Sequence, residues 1–253
     1  MIMDYYKQAE NVIDCIREKS KEEKLKLRIV NDWEIEQYVA GKQGEEAVNS
    51  ELKAKFPNMI LMDDIYFDLS GILSGVNGYK PSMQIDHILL SEHAMYVIET
   101  KKYSQNAVLK GTSYTQNWEY KDTEIKKSSR QNACLQNHRH IENLRKLIGN
   151  YLPPNVVSIV CLVNMQPENI EVSTQYGQYV FTLEELSYMI EAFEKKYAKT
   201  CISESSRNDL LKLVKRLNNN SFTQEVNHII YVKLLKRKIH DSKKGKRRKK
   251  KLS

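Results

Sequence analysis

Asp86, Glu99 and Lys101 stand where a β-hairpin would bring them together. Residues 84–91 and 94–101 are two runs rich in Ile, Val and Leu, separated by Glu92-His93. If Ser91 pairs with Ala94, the register carried along the strands sets Asp86 directly opposite Glu99. Opposed residues have Cβ atoms about 4.5–5.5 Å apart, and like charges there repel. Such a pair persists where a cation lies between the carboxylates or where one of them is protonated. Side chains two apart on a strand share a face, so Lys101 joins Glu99 and the Thr100 side chain points to the other face. His87 likewise faces away from Asp86 and reads as a packing residue. A hard divalent cation, Mg²⁺ or Mn²⁺, takes carboxylate and carbonyl oxygens and keeps several waters. Asp86 and Glu99 would supply two ligands and the backbone C=O of Thr100 a third. Such a metal lowers the pKa of a water and offsets charge growing on phosphorus. Lys101 would orient that water and stabilise the same charge. These are the parts that phosphodiester hydrolysis needs. The plainer alternative for the three residues is a solvated ion-pair ladder, which contributes little.

The elements around this hairpin follow from periodicity. Residues 4 to about 55 read as helical, with Asn31 or Asp32 as an N-cap, interruptions at Gly41 and Gly44, and a stop at Pro57. From Met59 the period changes to two, and 59–68 is a strand. A Gly- and Ser-rich loop covers 69–81. Shorter strands are expected at 107–111 and 115–120, and a helix at 128–148. The apolar run Val156–Val163 reads as a fully buried strand. A last strand spans 179–181. Thr182 and Glu185 have capping-box spacing before a helix at 183–197. Two more amphipathic helices cover 205–217 and 223–239.

Bulk properties narrow the class. The 253 residues contain no apolar stretch long enough for a membrane span, and the first ten residues lack a signal-peptide layout. The four cysteines are far apart, without a CxxC pair, which fits a reduced, cytoplasmic setting. The formal charge is +8, yet eight basic residues lie between Lys243 and Lys251, so the rest of the chain is balanced. A run of this kind repels itself and is expected to be disordered. It could hold nucleic acid through counterion release. A solubilising tail, or one that touches anionic lipid, is the alternative.

Gln84-Ile85-Asp86-His87-Ile88-Leu89-Leu90 followed by Met95-Tyr96-Val97-Ile98-Glu99-Thr100-Lys101 resembles the core of the nuclease-related domain family. That family is grouped with the PD-(D/E)XK superfamily, whose signature is an Asp on one strand and Glu-x-Lys on the next. Gly41-Lys42-Gln43-Gly44-Glu45 looks like the family's Gly-x-x-Gly-Glu helix start. Gly111 and Trp118 fall where the family tends to have a Gly and a Trp, and Arg130-Gln131-Asn132 resembles its helix with a motif Gln. The family's hairpin-turn Gly is replaced by Glu92-His93-Ala94, and its Pro before the motif Gln by Ser128-Ser129. The resemblance covers about 41–148, extending to the strand at 156–163.

What it implies is a restriction-endonuclease-like α/β fold with a central mixed sheet flanked by helices. The expected layout is an N-terminal helical extension at 1–40, a nuclease domain at 41–182, a helical segment at 183–240 and the basic tail at 241–253. The activity implied is metal-dependent cleavage of DNA, with no stable membrane insertion. By resemblance Glu45 approaches the metal site and Gln131 contacts the site or the substrate backbone. Glu45 can also be read as a first-turn acid favoured by the helix dipole, with Glu46 the neighbouring candidate, and Gln131 as a surface residue. Lys102, Lys110, Lys121, Lys126, Lys127 and Arg130 could line a path for phosphates, with Tyr114, Trp118 and Tyr120 near enough to stack on bases. The same groups also read as a solvated basic face over core aromatics. The competing functional readings are an accessory or inactive nucleic-acid-binding protein and a scaffold at a membrane surface.

Overall fold

The computed structural model describes residues 2–25, 27, 31–122, 128–175 and 177–251, without the side chains of 2, 31 and 243–251. The expected basic residues Lys126 and Lys127 lie outside the described residues. The chain divides into two compact units. One comprises Met1–Val39, Tyr66–Gln84 and Asn219–Ser253, the other Ala40–Ile65 and Ile85–Asn218.

The larger unit is built on a mixed sheet in the order β1 (Ile60–Asp68), β2 (Ser82–Leu90), β3 (Met95–Lys102), β7 (Val156–Val163), β9 (Gln178–Thr182). β2 and β3 form an antiparallel hairpin in which His87 pairs with Ile98 and Leu90 with Met95. Ser91 N–H donates to Ala94 O at 3.0 Å, closing the two-residue turn. β3, β7 and β9 run parallel. The central strands are covered on both faces, which is why they read as continuous apolar runs. On one face α2 (Asn31–Lys55) and α4 (Leu183–Lys196) bury Val48, Leu52, Leu186, Ile190 and Phe193 against Leu89, Ile98, Ile159 and Cys161. The Thr182 capping box starts α4, with Thr182 N–H donating to Glu185 Oε2 at 2.8 Å.

The other face carries α3 (Ala133–Ile148) and a second sheet. Its order is β6 (Ser128–Gln131), β5 (Asn117–Lys121), β4 (Val108–Thr112), β8 (Ile170–Ser173). Leu109, Trp118 and Tyr120 from this sheet meet Cys134 of α3 and Val160 and Leu162 of β7. Asn137 of α3 is fully buried, and its amide donates to Val97 O at 2.8 Å and Ile159 O at 3.0 Å. α5 (Glu204–Leu217) completes the unit.

The smaller unit has its own core. Val12, Ile13 and Ile16 of α1 (Ile2–Glu22) meet Val226, Ile230 and Leu234 of α6 (Phe222–Lys251), together with Val76 and Tyr79. Both helical sets have i, i+3 or i, i+4 spacing, so each forms one stripe. Lys19 Nζ donates to the Asn227 side chain at 2.9 Å.

The architecture is the expected mixed α/β with flanking helices, but with two sheets rather than one. Residues 128–131 are a strand instead of the first turn of the helix. They pair with β5, and the helix begins only after Asn132, whose side chain accepts from Leu135 N–H at 3.2 Å. β8 was not expected from the sequence. Gly41 and Gly44 lie inside an unbroken α2. The segment 183–240 does not stay together: α4 and α5 belong to the larger unit and α6 to the smaller one. The basic run continues α6 as helix to Lys251, because Lys and Arg are good helix formers. Residues 252 and 253 lie outside the described residues. Among the described residues no helix is long and apolar enough to cross a membrane. All four cysteines are free thiols.

Candidate active site

The hairpin register and the twofold period of β3 place Asp86, Glu99 and Lys101 on one face, as the spacing requires. Asp86 is 9% exposed and Glu99 is 1% exposed. Asp86 Oδ2 accepts the backbone N–H of Thr100 at 2.7 Å, so the carboxylate is tied to the neighbouring strand. Lys101 Nζ forms an ion pair with Glu99 Oε1. His87 is on the opposite face, as expected, where its Nδ1 lies 2.8 Å from Asp63 Oδ1.

Glu45 reaches the same cluster from α2. Gly44 makes this approach possible. A Cβ there would sit 3.2 Å from Lys102 Cβ and 3.3 Å from Thr100 Cγ2, tighter than nearly all real contacts. The glycine therefore lets the helix lie against the end of β3 at this distance, where a Cβ would force a shift of a few tenths of an ångström. Lys42, one turn before Glu45, holds Glu45 Oε2 at 3.0 Å and Asp64 Oδ2 of β1 at 2.9 Å. Glu46 is exposed and bonds to Ser50, which leaves Glu45 as the acid at the cluster.

Three carboxyl groups, Asp86 and Glu99 buried and Glu45 half-buried, perturb one another. Glu45 is pushed up from 4.5 to about 7, first by burial and then by the charge of Asp86. Glu99 is pushed up from 4.5 to about 8 by the same two causes in the same order, against the opposing pull of Lys101. The Lys101 ammonium is driven upward by Glu99 and Asp86, which outweigh its own burial. Asp86 is thus the charge that both of its neighbours resist.

The helix α3 adds a residue that sequence reading missed. His140 Nδ1 lies 3.5 Å from Glu99 Oε2, with the imidazole 11% exposed. Its signal was spacing: His140 follows the buried Asn137 by three, on the face turned to the sheet. Gln131 is not brought to this cluster by helix phase. It ends β6, exposed and paired with Asn117. The glutamine with the right phase on α3 is the half-buried Gln136, four residues before His140.

The expected phosphate path divides. Lys102 Nζ donates to Gln43 Oε1 at 2.7 Å and Lys110 pairs with Glu171 at 2.7 Å, so both are engaged within the fold. Arg130 lies over the Tyr120 ring, 4.4 Å from its centroid. Trp118 is no base-stacking platform. It is buried, its Nε1 donates to Thr112 O at 2.9 Å, and a Cβ on Gly111 would lie 2.5 Å from its ring. Tyr114 is 63% exposed, and Lys121 is exposed too.

A divalent cation fits the donor set. Glu99 Oε2 is buried with no hydrogen-bond donor among the described residues, and only one oxygen of Asp86 is used by Thr100. No group of three or more His, Cys, Asp or Glu side chains among the described residues forms a ready-made metal cage. Two carboxylates supplemented by carbonyl and water suit Mg²⁺, which keeps much of its hydration.

All of these groups lie between residues 42 and 140. Residues 40–163 match the model of the family described as nuclease-related domain. An uncharacterized protein of Bacillus anthracis is 33% identical over 113 residues, covering 45% of this chain and 49% of the relative. The chain thus spans about half the length of that relative. The nuclease-related domain has its general home in the PD-(D/E)XK superfamily. Through residues 40–163, which hold the carboxylate cluster and its lysine, this chain is similar to the nuclease-related domain family.

Proposed function

We propose that the domain is a metal-dependent nuclease that hydrolyses phosphodiester bonds in DNA. The observation that carries this reading is the Glu45–Asp86–Glu99 cluster, half-buried at Glu45 and buried at Asp86 and Glu99, in which the Glu45 and Glu99 carboxyls are raised to about 7 and about 8 and Glu99 Oε2 has no hydrogen-bond donor among the described residues. Mutual repulsion of this kind is relieved by a divalent cation, and a purely structural cluster gains nothing from it. Asp86, Glu99 and the backbone C=O of Thr100 are the groups that would hold Mg²⁺ or Mn²⁺. When bound, the cation supplies Lewis acidity toward water and phosphate oxygens.

The chain's own residues do the rest. Asp86 is oriented by Thr100 N–H before any ligand arrives, so no reorganisation is needed there. Lys101 would orient the attacking water and stabilise the charge that builds at phosphorus. Glu45, with a pKa near 7, is suited to holding or passing a proton at neutral pH. Burial of the cluster strengthens each of these interactions relative to water.

The test is incubation of the full chain with single- and double-stranded DNA and with RNA, plus Mg²⁺ or Mn²⁺, beside Asp86→Ala. DNA cleavage that needs the metal and disappears in Asp86→Ala is the expected result. Cleavage that survives in Asp86→Ala, or nucleic-acid binding without any cleavage by the parent chain, would overturn the nuclease reading.

A further inference from the structure

The face of β3 that carries Glu99 and Lys101 does not end with them. Tyr103 is the next residue of the same twofold period, immediately after the strand, about 6.6 Å further along than Lys101. That step is of the same order as the spacing of neighbouring phosphates on one nucleic-acid strand. Tyr103 is half-buried, and its ring lies 5.4 Å from that of Tyr120 at 49°. The Tyr120 hydroxyl donates to Asp122 at 2.9 Å, which fixes the ring. Arg130 then caps Tyr120 from β6. The Tyr103 hydroxyl is close enough to Lys101, Arg130 and Glu99 to feel the charge of each. It makes no hydrogen bond to a described residue.

Arg130 differs from Lys102 and Lys110. Lys102 and Lys110 have partners on the fold, whereas Arg130 has no carboxylate partner among the described residues. One face of its guanidinium rests on an aromatic ring, which leaves the N–H edges for an external acceptor. A planar fork held this way suits a phosphate, which it can meet with two hydrogen bonds. A phenol donor beside it completes a site for one anionic group, next to a cluster that itself faces a phosphodiester.

We propose that Tyr103 and Arg130, with Tyr120 as their platform, form a subsite for the backbone phosphate adjacent to the scissile one on the same DNA strand. The subsite rests on the nuclease reading only for the position of its neighbour. It sets where the strand runs: from the carboxylates along the end of β3 and across β5 to β6. Neither residue touches the reacting phosphorus, so their loss acts on substrate binding and leaves the carboxylate cluster intact.

The experiment measures anisotropy of a fluorescein-labelled single-stranded DNA oligonucleotide on the full chain in an Asp86→Asn background, across a salt series. Arg130→Gln should weaken Kd about three- to tenfold and reduce the slope of log K against log salt by about one. Tyr103→Phe should weaken Kd several-fold with the slope unchanged, since it removes a neutral donor. Arg130→Lys, which keeps the charge, should hold the slope while losing affinity, and it carries the test if the glutamine variant does not fold. Unchanged Kd and slope in Arg130→Gln, or unchanged Kd in folded Arg130→Lys and Tyr103→Phe, overturns the subsite. A parent chain that binds but never cleaves overturns only the nuclease reading, and the losses in the variants still support the subsite. Absence of any binding overturns both.

Discussion

The backbone N–H of Thr100 donates to the carboxylate of Asp86 at 2.7 Å, where the hairpin hands over from strand pairing to the acidic cluster. One strand thus orients the acid on the other without spending a side chain. It also means that Asp86 can be neutralised without being displaced, because an amide oxygen accepts the same hydrogen bond. Asp86→Asn should fold like the parent, with a melting temperature equal or higher since like charge is removed, while cleavage falls at least about a hundredfold. Cleavage within tenfold of the parent in Asp86→Asn would count against the site. Lys101→Ala differs. It strips the ion-pair partner from a carboxylate that is 1% exposed, which costs stability unless the group takes up a proton. Its melting temperature should fall below the parent's most clearly above pH 8 and recover toward pH 6.

The pH dependence follows from the same cluster. Glu45 and Glu99 are raised from 4.5 to about 7 and about 8, burial being the larger cause and Asp86 the next. The folded state therefore keeps protons that the unfolded chain releases above about pH 4.5. Their contribution is present in full below that pH, is lost as pH rises through 7 to 8, and has gone above. Without divalent cations, thermal stability should decline between pH 5 and 8. Mn²⁺ should flatten this decline and bind more tightly as pH rises, since binding displaces the protons. The check is a series of melting curves with and without Mn²⁺, beside Glu99→Gln. That variant should show a shallower slope and little response to the ion. An equal slope in Glu99→Gln would remove Glu99 from the account.

How far the sequence could be read divides by the range of the interaction. The hairpin was legible in detail because two residues at the turn and a twofold period determine which side chains oppose one another. That Asp86, Glu99 and Lys101 share one face followed from that alone. β6 was not legible: Ser128-Ser129-Arg130-Gln131 has little strand propensity, and its pairing with β5 is supplied by the rest of the sheet. Gln131, singled out by its resemblance to a motif glutamine, accordingly sits at the end of a strand rather than on a helix. His140 was missed because nothing local says that α3 crosses over Glu99. That depends on the parallel pairing of β3 with β7 and on the buried Asn137 that pins the helix to both.

His140 gives a prediction of its own. Glu99 pairs with Lys101 through Oε1, and His140 Nδ1 lies 3.5 Å from Oε2 without a hydrogen bond to it. Groups that orient a metal-binding carboxylate commonly change metal affinity about 10–100-fold when removed. His140→Ala should weaken Mn²⁺ affinity, read by the paramagnetic signal of the free ion, at least about tenfold, while DNA binding in the absence of metal stays within about twofold of the parent. Unaltered Mn²⁺ affinity would show that His140 only fills space beside Glu99.

Gly44 tests whether the distance between α2 and β3 matters to the chemistry. Replacing a helical glycine by alanine is worth about 1 kcal/mol in propensity. Gly41 lies on the same helix, and a methyl group added there would meet nothing within 4 Å, so Gly41→Ala should gain stability and leave cleavage alone. At Gly44 the methyl meets Lys102 Cβ at 3.2 Å and Thr100 Cγ2 at 3.3 Å. Lys102 Cβ is fixed by the β3 backbone, and the Thr100 methyl can retreat only by turning its buried side chain about χ1. The helix must move instead, taking Glu45 away from Asp86, and the overpacking costs about 1–3 kcal/mol. Gly44→Ala should therefore melt at or below the parent temperature and lose cleavage about tenfold or more. If it behaves like Gly41→Ala in both measurements, the close approach of the helix does not set the position of Glu45.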